Sequence, residues 1–285
     1  MIVSVPKAPA AVGMFDSGIG GLTVFRELRK HAPDVPVIYF GDTFNVPYGG
    51  KPLEQIRRFA LNAIDFLVEK GVGVVAIACN VSSSVLTTQD RKRSQVPVFG
   101  LVAGGAQQAV TLTRNGRIGV IATEATVKCG SYQREILMRN PDATIEAVAC
   151  PKFVPLVEAG ERDTPAVYSA CEEYLTPIID AGCDTIVHGC THYPFLEAAM
   201  KTVSGGRLTF VDPAAYLAID VASFLAGIAR ANGDWQPSLP ETRIYLSKSS
   251  DTFVEKGSEF LGFDISKIME VANINLGLLE SGCAR

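Results

Sequence analysis

The sequence predicts an α/β fold: two similar parallel-sheet α/β domains related by pseudo-twofold symmetry, with a shared cleft between them. Three observations carry this. Short apolar runs alternate with amphipathic, helix-like stretches along the chain, the pattern of a parallel sheet covered by helices. The pattern occurs twice, each time with a helix ending at a glycine (Gly71, Gly182) and a cysteine eight residues later (Cys79, Cys190). Each half also opens on a strand that ends in a small polar cluster. From Asp16 to Cys79 is 63 residues, and from Thr123 to Cys190 is 67. Ligands of open α/β sheets bind outside the carboxyl ends of the strands, so both cysteines are expected to face one cleft.

In chain order, residues 11–15 read as a strand ending at Asp16-Ser17-Gly18, 22–30 as a helix and 35–40 as a second strand. Residues 53–70 form a long amphipathic helix, with Phe59, Ala63, Phe66 and Leu67 near helical spacing. The β-rich run 72–78 stops at Cys79-Asn80, and 98–102 is a further short strand. The second half has strands at 117–122, 184–187 and 206–211, and helices at 166–181 and 214–231. Residues 232–241, rich in Pro and Gly, read as a loop, and the strand-like and helical tail 242–285 is expected to pack back on the first half. The resulting division is 1–102, 103–213 and a C-terminal segment 214–285.

Bulk properties narrow the function class. A chain of 285 residues with 47% hydrophobic and 20% charged residues builds its core without disulfide or metal staples. Its net charge is −4 with no Lys/Arg block, which argues against nucleic acid as partner. Residues 1–11 lack a signal-peptide pattern, and no run approaches about 18 uncharged apolar residues, so a soluble cytoplasmic enzyme is expected. The seven cysteines (Cys79, Cys129, Cys150, Cys171, Cys183, Cys190, Cys283) are odd in number and scattered, which reads as reduced thiols.

Two of these thiols stand in distinctive contexts. In Ala78-Cys79-Asn80-Val81-Ser82-Ser83-Ser84 a strand delivers a cysteine to the start of a helix. Free N–H groups and the helix dipole there favour a thiolate and hold a substrate carboxylate. The plainer alternative is a buried strand-end cysteine with capping serines. Gly189-Cys190-Thr191-His192-Tyr193-Pro194 repeats the arrangement, with Pro194 suited to a first helical turn and His192 placed to relay a proton. His188, Cys190 and His192 alternate, but zinc needs a fourth ligand and no Cys-x-x-Cys pair supplies one, so no metal is assigned. Phe15-Asp16-Ser17-Gly18-Ile19-Gly20-Gly21 lacks both the dinucleotide and the P-loop spacing, and its glycines suit a tight turn against a small ligand. The segment Val46-Pro47-Tyr48-Gly49-Gly50-Lys51 is a turn-rich loop able to close over a ligand through Tyr48.

Taken together, Phe15-Asp16-Ser17-Gly18, Pro47-Tyr48-Gly49, Ala78-Cys79-Asn80, Phe153-Val154-Pro155-Leu156-Val157-Glu158 and Gly189 to Pro194 resemble the glutamate racemase family. The resemblance spans nearly the whole chain and implies two α/β domains with the active site between them. It implies Cys79 and Cys190 as the catalytic acid/bases, Asp16 assisting the first, and His192 and Glu158 serving the second. It further implies substrate contacts at Ser17, Tyr48, Gly49, Asn80, Val81, Thr191 and His192, with Thr123 and Thr126 at the distal carboxylate. A homodimer and a role in supplying D-glutamate to peptidoglycan also follow from the resemblance. Two departures stand out: Val81 replaces the usual threonine, and His188 replaces an apolar residue.

The chemistry expected is racemisation without cofactor: one thiolate removes the α-proton and a thiol on the opposite face returns another. No pyridoxal-phosphate lysine or phosphate cradle is assignable in the sequence. Within the superfamily, aspartate or hydantoin racemases and arylmalonate decarboxylases are the alternatives, though two paired cysteines argue against the one-cysteine decarboxylase. An amino-acid-binding or metal-binding regulatory protein on the same fold is the alternative outside catalysis.

Overall fold

The computed structural model describes residues 11–232 and 241–277, so most of the expected loop at 232–241, and Cys283, lie outside the described residues. Ten strands are described: β1 (Val12–Asp16), β2 (Val37–Gly41), β3 (Val74–Ile77), β4 (Val98–Gly100), β5 (Arg117–Ala122), β6 (Thr144–Ala149), β7 (Thr185–Gly189), β8 (Thr209–Val211), β9 (Arg243–Leu246) and β10 (Met269–Val271). They form two sheets, ordered β10-β9-β2-β1-β3-β4 and β6-β5-β7-β8, and every pairing is parallel. The first four strands of each half share one order, second-first-third-fourth. The duplication seen in the sequence is therefore a duplication of topology, with Cys79 following the third strand of one half and Cys190 the third strand of the other.

β1 is buried along its whole length because helices cover both faces of its sheet. Val12 and Met14 join a core with Leu22, Phe25 and Leu28 of the helix Leu22–His31 and with Leu217, Val221 and Leu225 of the helix Pro213–Asn232. Phe15 faces the other way, into Phe59, Ala63 and Leu67 of the helix Leu53–Glu69. The second sheet is covered by Pro165–Asp180 on one face and by Leu101–Leu112 with Ser131–Arg139 on the other. Each large apolar side chain buried in these layers contributes roughly 1.5–3 kcal/mol.

Several boundaries differ from the sequence expectation, each for a local reason. The strand expected at 98–102 ends at Gly100, because Leu101 and Val102 begin a helix whose buried face packs on the second sheet. The strand expected from 206 begins at Thr209, since Gly205 (φ 59°) and Gly206 (φ 72°) close the preceding helix in the left-handed region. β6 has no counterpart in the sequence reading. It is a half-exposed edge strand carrying Glu146, so its apolar signal is diluted. In the C-terminal segment, β9 pairs with β2 and β10 with β9, extending the first sheet. By length and composition Pro213–Arg230 could cross a membrane, but Ala214, Leu217, Ala218, Val221 and Leu225 are buried in the core. The six described cysteines are all free thiols.

Candidate active site

A cavity of about 480 Å³ lies outside the carboxyl ends of both sheets, and Cys79 and Cys190 both line it. β3 ends two residues before Cys79, whose extended backbone makes it the N-cap of the short helix Asn80–Val85. Asp16, the last residue of the neighbouring β1, is buried beside it. Its carboxylate accepts hydrogen bonds from the N–H groups of Gly18 (3.1 Å) and Gly21 (2.8 Å), so the loop after β1 folds back around it. A Cβ on Gly21 would lie 2.5 Å from the Asp16 Cβ and 2.7 Å from the Tyr39 hydroxyl, which leaves room only for glycine.

Burial raises the Asp16 pKa above the usual carboxylate range, against the opposing pull of His192 and the loop N–H groups. The Cys79 thiol, 3.8 Å from Ser17 Oγ, is pushed up to about 12 by burial first and by Asp16 second, while Ser82 and Ser17 oppose the rise. The helix terminus that the sequence suggested would favour a thiolate is thus outweighed in the resting site by desolvation.

The second cysteine has a different setting. Cys190 follows β7, and the turn through His192 leads into the 3-10 helix Tyr193–Leu196, with Pro194 in its first turn. His192 Nδ1 is 3.8 Å from Cys190 Sγ, and its Nε2 is 2.7 Å from Glu158 Oε1 at the end of the helix Phe153–Glu158. Phe153 packs edge-on against Tyr193 at 5.0 Å between ring centroids, which fixes that helix against the turn. Burial disfavours the imidazolium, but the contacts with Cys190 and Glu158 win and raise the His192 pKa to about 10. The two lobes meet tightly here: a Cβ on Gly20 would lie 2.3 Å from Thr191 Oγ1 and 2.7 Å from His192 Nδ1.

This paired arrangement can be set beside known proteins. Residues 22–219 match the profile of the Asp/Glu/Hydantoin racemase family. A glutamate racemase of Desulforudis audaxviator is 43% identical over 270 residues, 93% of this chain and 98% of that protein. This chain belongs to the glutamate racemase family. Among solved structures, the Francisella tularensis glutamate racemase in complex with D-glutamate has a TM-score of 0.84 and 29% identity, covering 93% of this chain and 97% of that one. The Thermus thermophilus glutamate racemase in complex with β-chloro-D-alanine has a TM-score of 0.78 and 37% identity, covering 92% and 96%.

The other residues singled out in this family member are distributed as follows. Ser17, Gly49, Asn80, Val81, Thr123, Glu158, Thr191 and His192 line the cavity. Asn80 Oδ1 accepts a 2.5 Å hydrogen bond from Tyr132, while its buried Nδ2 has no partner. Tyr48 also lines it, but its hydroxyl donates to Asp42 Oδ2 at 2.6 Å, which anchors the loop to the first lobe. The loop's Gly49 carbonyl accepts from the Ala125 N–H at 3.1 Å, bridging to the second lobe. Thr126 does not line the cavity; it is buried behind Thr123, the two hydroxyls being 3.1 Å apart.

His188 does not join Cys190 and His192 on the cavity wall. β7 ends at Gly189 and the chain turns, leaving His188 fully buried with both ring nitrogens without a hydrogen bond. Burial lowers its pKa to about 4 despite Glu197 Oε2 at 3.7 Å. Among the described residues no group of three metal-ligating side chains occurs. The sequence reading missed Cys150 and Pro151 after β6, and Ser250, Thr252 and Phe253 at the start of the helix Asp251–Leu261, all of which line the cavity. A serine cap was readable at Ser250, which accepts from the Phe253 N–H, but nothing in the sequence tied that cap to the cleft.

Proposed function

We propose that the protein interconverts L- and D-glutamate by direct proton transfer at the α-carbon, with Cys79 and Cys190 as the opposed acid/base pair. One observation carries this reading: two buried thiols, from equivalent positions of a duplicated unit, open onto one cavity of about 480 Å³. A thiolate on one face removes the α-proton, and the thiol on the other face delivers its proton to the carbanion; the roles exchange in the reverse direction. Cys79, held protonated by burial and Asp16, is the proton donor when Cys190 acts as base. Asp16, whose own pKa is raised, takes up and returns the Cys79 proton, and the His192–Glu158 pair does the same for Cys190.

The weakly acidic α-proton also requires donors to the substrate carboxylate, where negative charge develops. Asn80 Nδ2, Ser17 and Thr191 serve this role, with Tyr132 orienting the Asn80 amide. Thr123, held by Thr126, binds the distal carboxylate, which supplies remote orienting energy. The protein acts in the cytoplasm as a homodimer and supplies D-glutamate for peptidoglycan.

A second reading, turnover of aspartate, rests on Val81, which lines the cavity where the family carries a hydroxyl. Incubation in deuterated water with L-glutamate and, separately, L-aspartate decides between them. Deuterium is expected at the α-carbon of glutamate together with the D enantiomer. Labelling of aspartate alone would transfer the assignment, and labelling of neither would remove it.

A further inference from the structure

Ser82 has a fully buried hydroxyl with no hydrogen-bond partner. Such a group is destabilising and native proteins rarely leave one without a reason. Its position supplies the reason. Cys79 is the N-cap of the helix Asn80–Val85, with φ −110° and ψ 120°, which makes Ser82 the third residue of the first turn. That residue folds back beneath the N-cap side chain. The next helix shows the same relation filled: the Thr87 side chain accepts from the Asp90 N–H, and the Asp90 carboxylate accepts from the Thr87 N–H. At Cys79 the N-cap side chain is a thiol, a poor acceptor, so the hydroxyl opposite stays unpaired. A thiolate there would be a strong one.

The neighbouring serines do not share this orientation. Ser83 Oγ is directed at β4, where a Cβ on Gly100 would meet it at 2.3 Å, and Ser84 Oγ accepts from Ser131 Oγ at 2.8 Å. We propose that Ser82 is a positioning residue for Cys79, its hydroxyl donating a hydrogen bond to the thiolate that forms when Cys79 gives its proton to the substrate α-carbon. In that step the S–H bond breaks, a C–H bond forms at the carbanion, and the sulfur keeps the electron pair that Ser82 then stabilises. Among the influences on the thiol, Ser82 is the foremost one favouring ionisation. The catalytic significance rests on the racemase reading, whereas the hydrogen bond itself does not.

The test must see the thiolate directly. Racemisation has an equilibrium constant of one, so kcat/KM is equal in the two directions in every variant and comparing them reveals nothing. Iodoacetamide alkylation at a fixed pH, mapped to Cys79 by peptide mass spectrometry, reports thiolate availability without substrate. Loss of a hydrogen bond to a charged acceptor raises the thiol pKa by about one unit. The thiolate fraction then falls about tenfold while its nucleophilicity rises, so Ser82→Ala should be alkylated about threefold more slowly. Ser83→Ala, which deletes an equally unpartnered hydroxyl aimed elsewhere, should react like the parent protein. The thermal midpoint of Ser82→Ala should be unchanged or higher, showing that the effect is not a loosened fold. An unaltered Cys79 rate in Ser82→Ala, or an equal loss in Ser83→Ala, overturns the proposal. A slowed rate in a protein that does not racemise glutamate would instead overturn the proposed function and leave this hydrogen bond standing.

Discussion

Glu158 Oε1 lies 2.7 Å from His192 Nε2, on the opposite side of the imidazole from the Cys190 sulfur. The ring is thereby clamped between a carboxylate and a thiol, and its proton is held far more tightly than in water. Because the folded pKa is raised, the charged form and its contribution are fully present below the ordinary value of 6.5 and are lost as the pH climbs through about 10. Glu158→Gln keeps the shape and deletes the charge. The alkaline limb of kcat/KM should move to lower pH, and the maximal value should fall about tenfold, the difference between a charged and a neutral hydrogen bond. An unshifted alkaline limb would show that Glu158 does not set the His192 proton.

The paired-thiol mechanism makes a symmetrical demand. Cys79→Ser and Cys190→Ser should each lower racemisation by roughly 10²–10⁴-fold, because either change removes a positioned acid/base from one face of the substrate. Polarimetry on glutamate measures this directly. Near-parental activity in either variant would reject the mechanism.

At Gly20 the two lobes have no room for another carbon, with Thr191 Oγ1 and His192 Nδ1 already inside contact distance of any added Cβ. Gly20→Ala should destabilise the protein by about 1–3 kcal/mol through overpacking. It should also lower kcat/KM, since the group displaced faces Cys190. Thermal unfolding and steady-state kinetics test the two effects separately, and a variant normal in both would contradict the close approach.

His188 should make the fold acid-sensitive. Its pKa is lowered to about 4 by burial, with Glu197 opposing and Lys201 reinforcing the shift. For a depressed folded pKa, the stability contribution is present above 6.5 and is lost as the pH falls through about 4, on the order of 3 kcal/mol in total. His188→Leu should therefore lose less stability than the parent protein between neutral pH and pH about 4, by denaturant unfolding. Since neither ring nitrogen has a hydrogen bond to lose, its stability at neutral pH should be no lower. Identical pH dependence in the two proteins would exclude His188 as the acid-labile group.

Much of this architecture was legible in the chain itself. β1, β2, β3, β5 and β7 announce themselves because, apart from the exposed Arg117 that opens β5, they are buried and read as largely apolar runs. The repeated Gly-to-Cys spacing singles out the two thiols, Cys79 and Cys190, that line the cavity. β6 and the helix Leu101–Leu112 were not legible: the first is a partly exposed edge, and the second begins inside an apolar run that suits strand or helix equally. Ser250, Thr252 and Phe253 reach the cavity only because β9 pairs beside β2 and carries the helix after it to the cleft.

Hydrophobic period and short-range spacing are local properties, so the sequence alone determined the α/β class, the duplication and the residues at the strand ends. Proton affinity is not local. Asp16 is raised by burial and pulled back by a histidine from the other lobe, Cys79 is raised by desolvation and its carboxylate neighbour, and His188 is held neutral by burial that outweighs the pull of Glu197. Those settings depend on which groups the tertiary structure brings within a few ångströms and how much water it removes, and only the folded chain decides them.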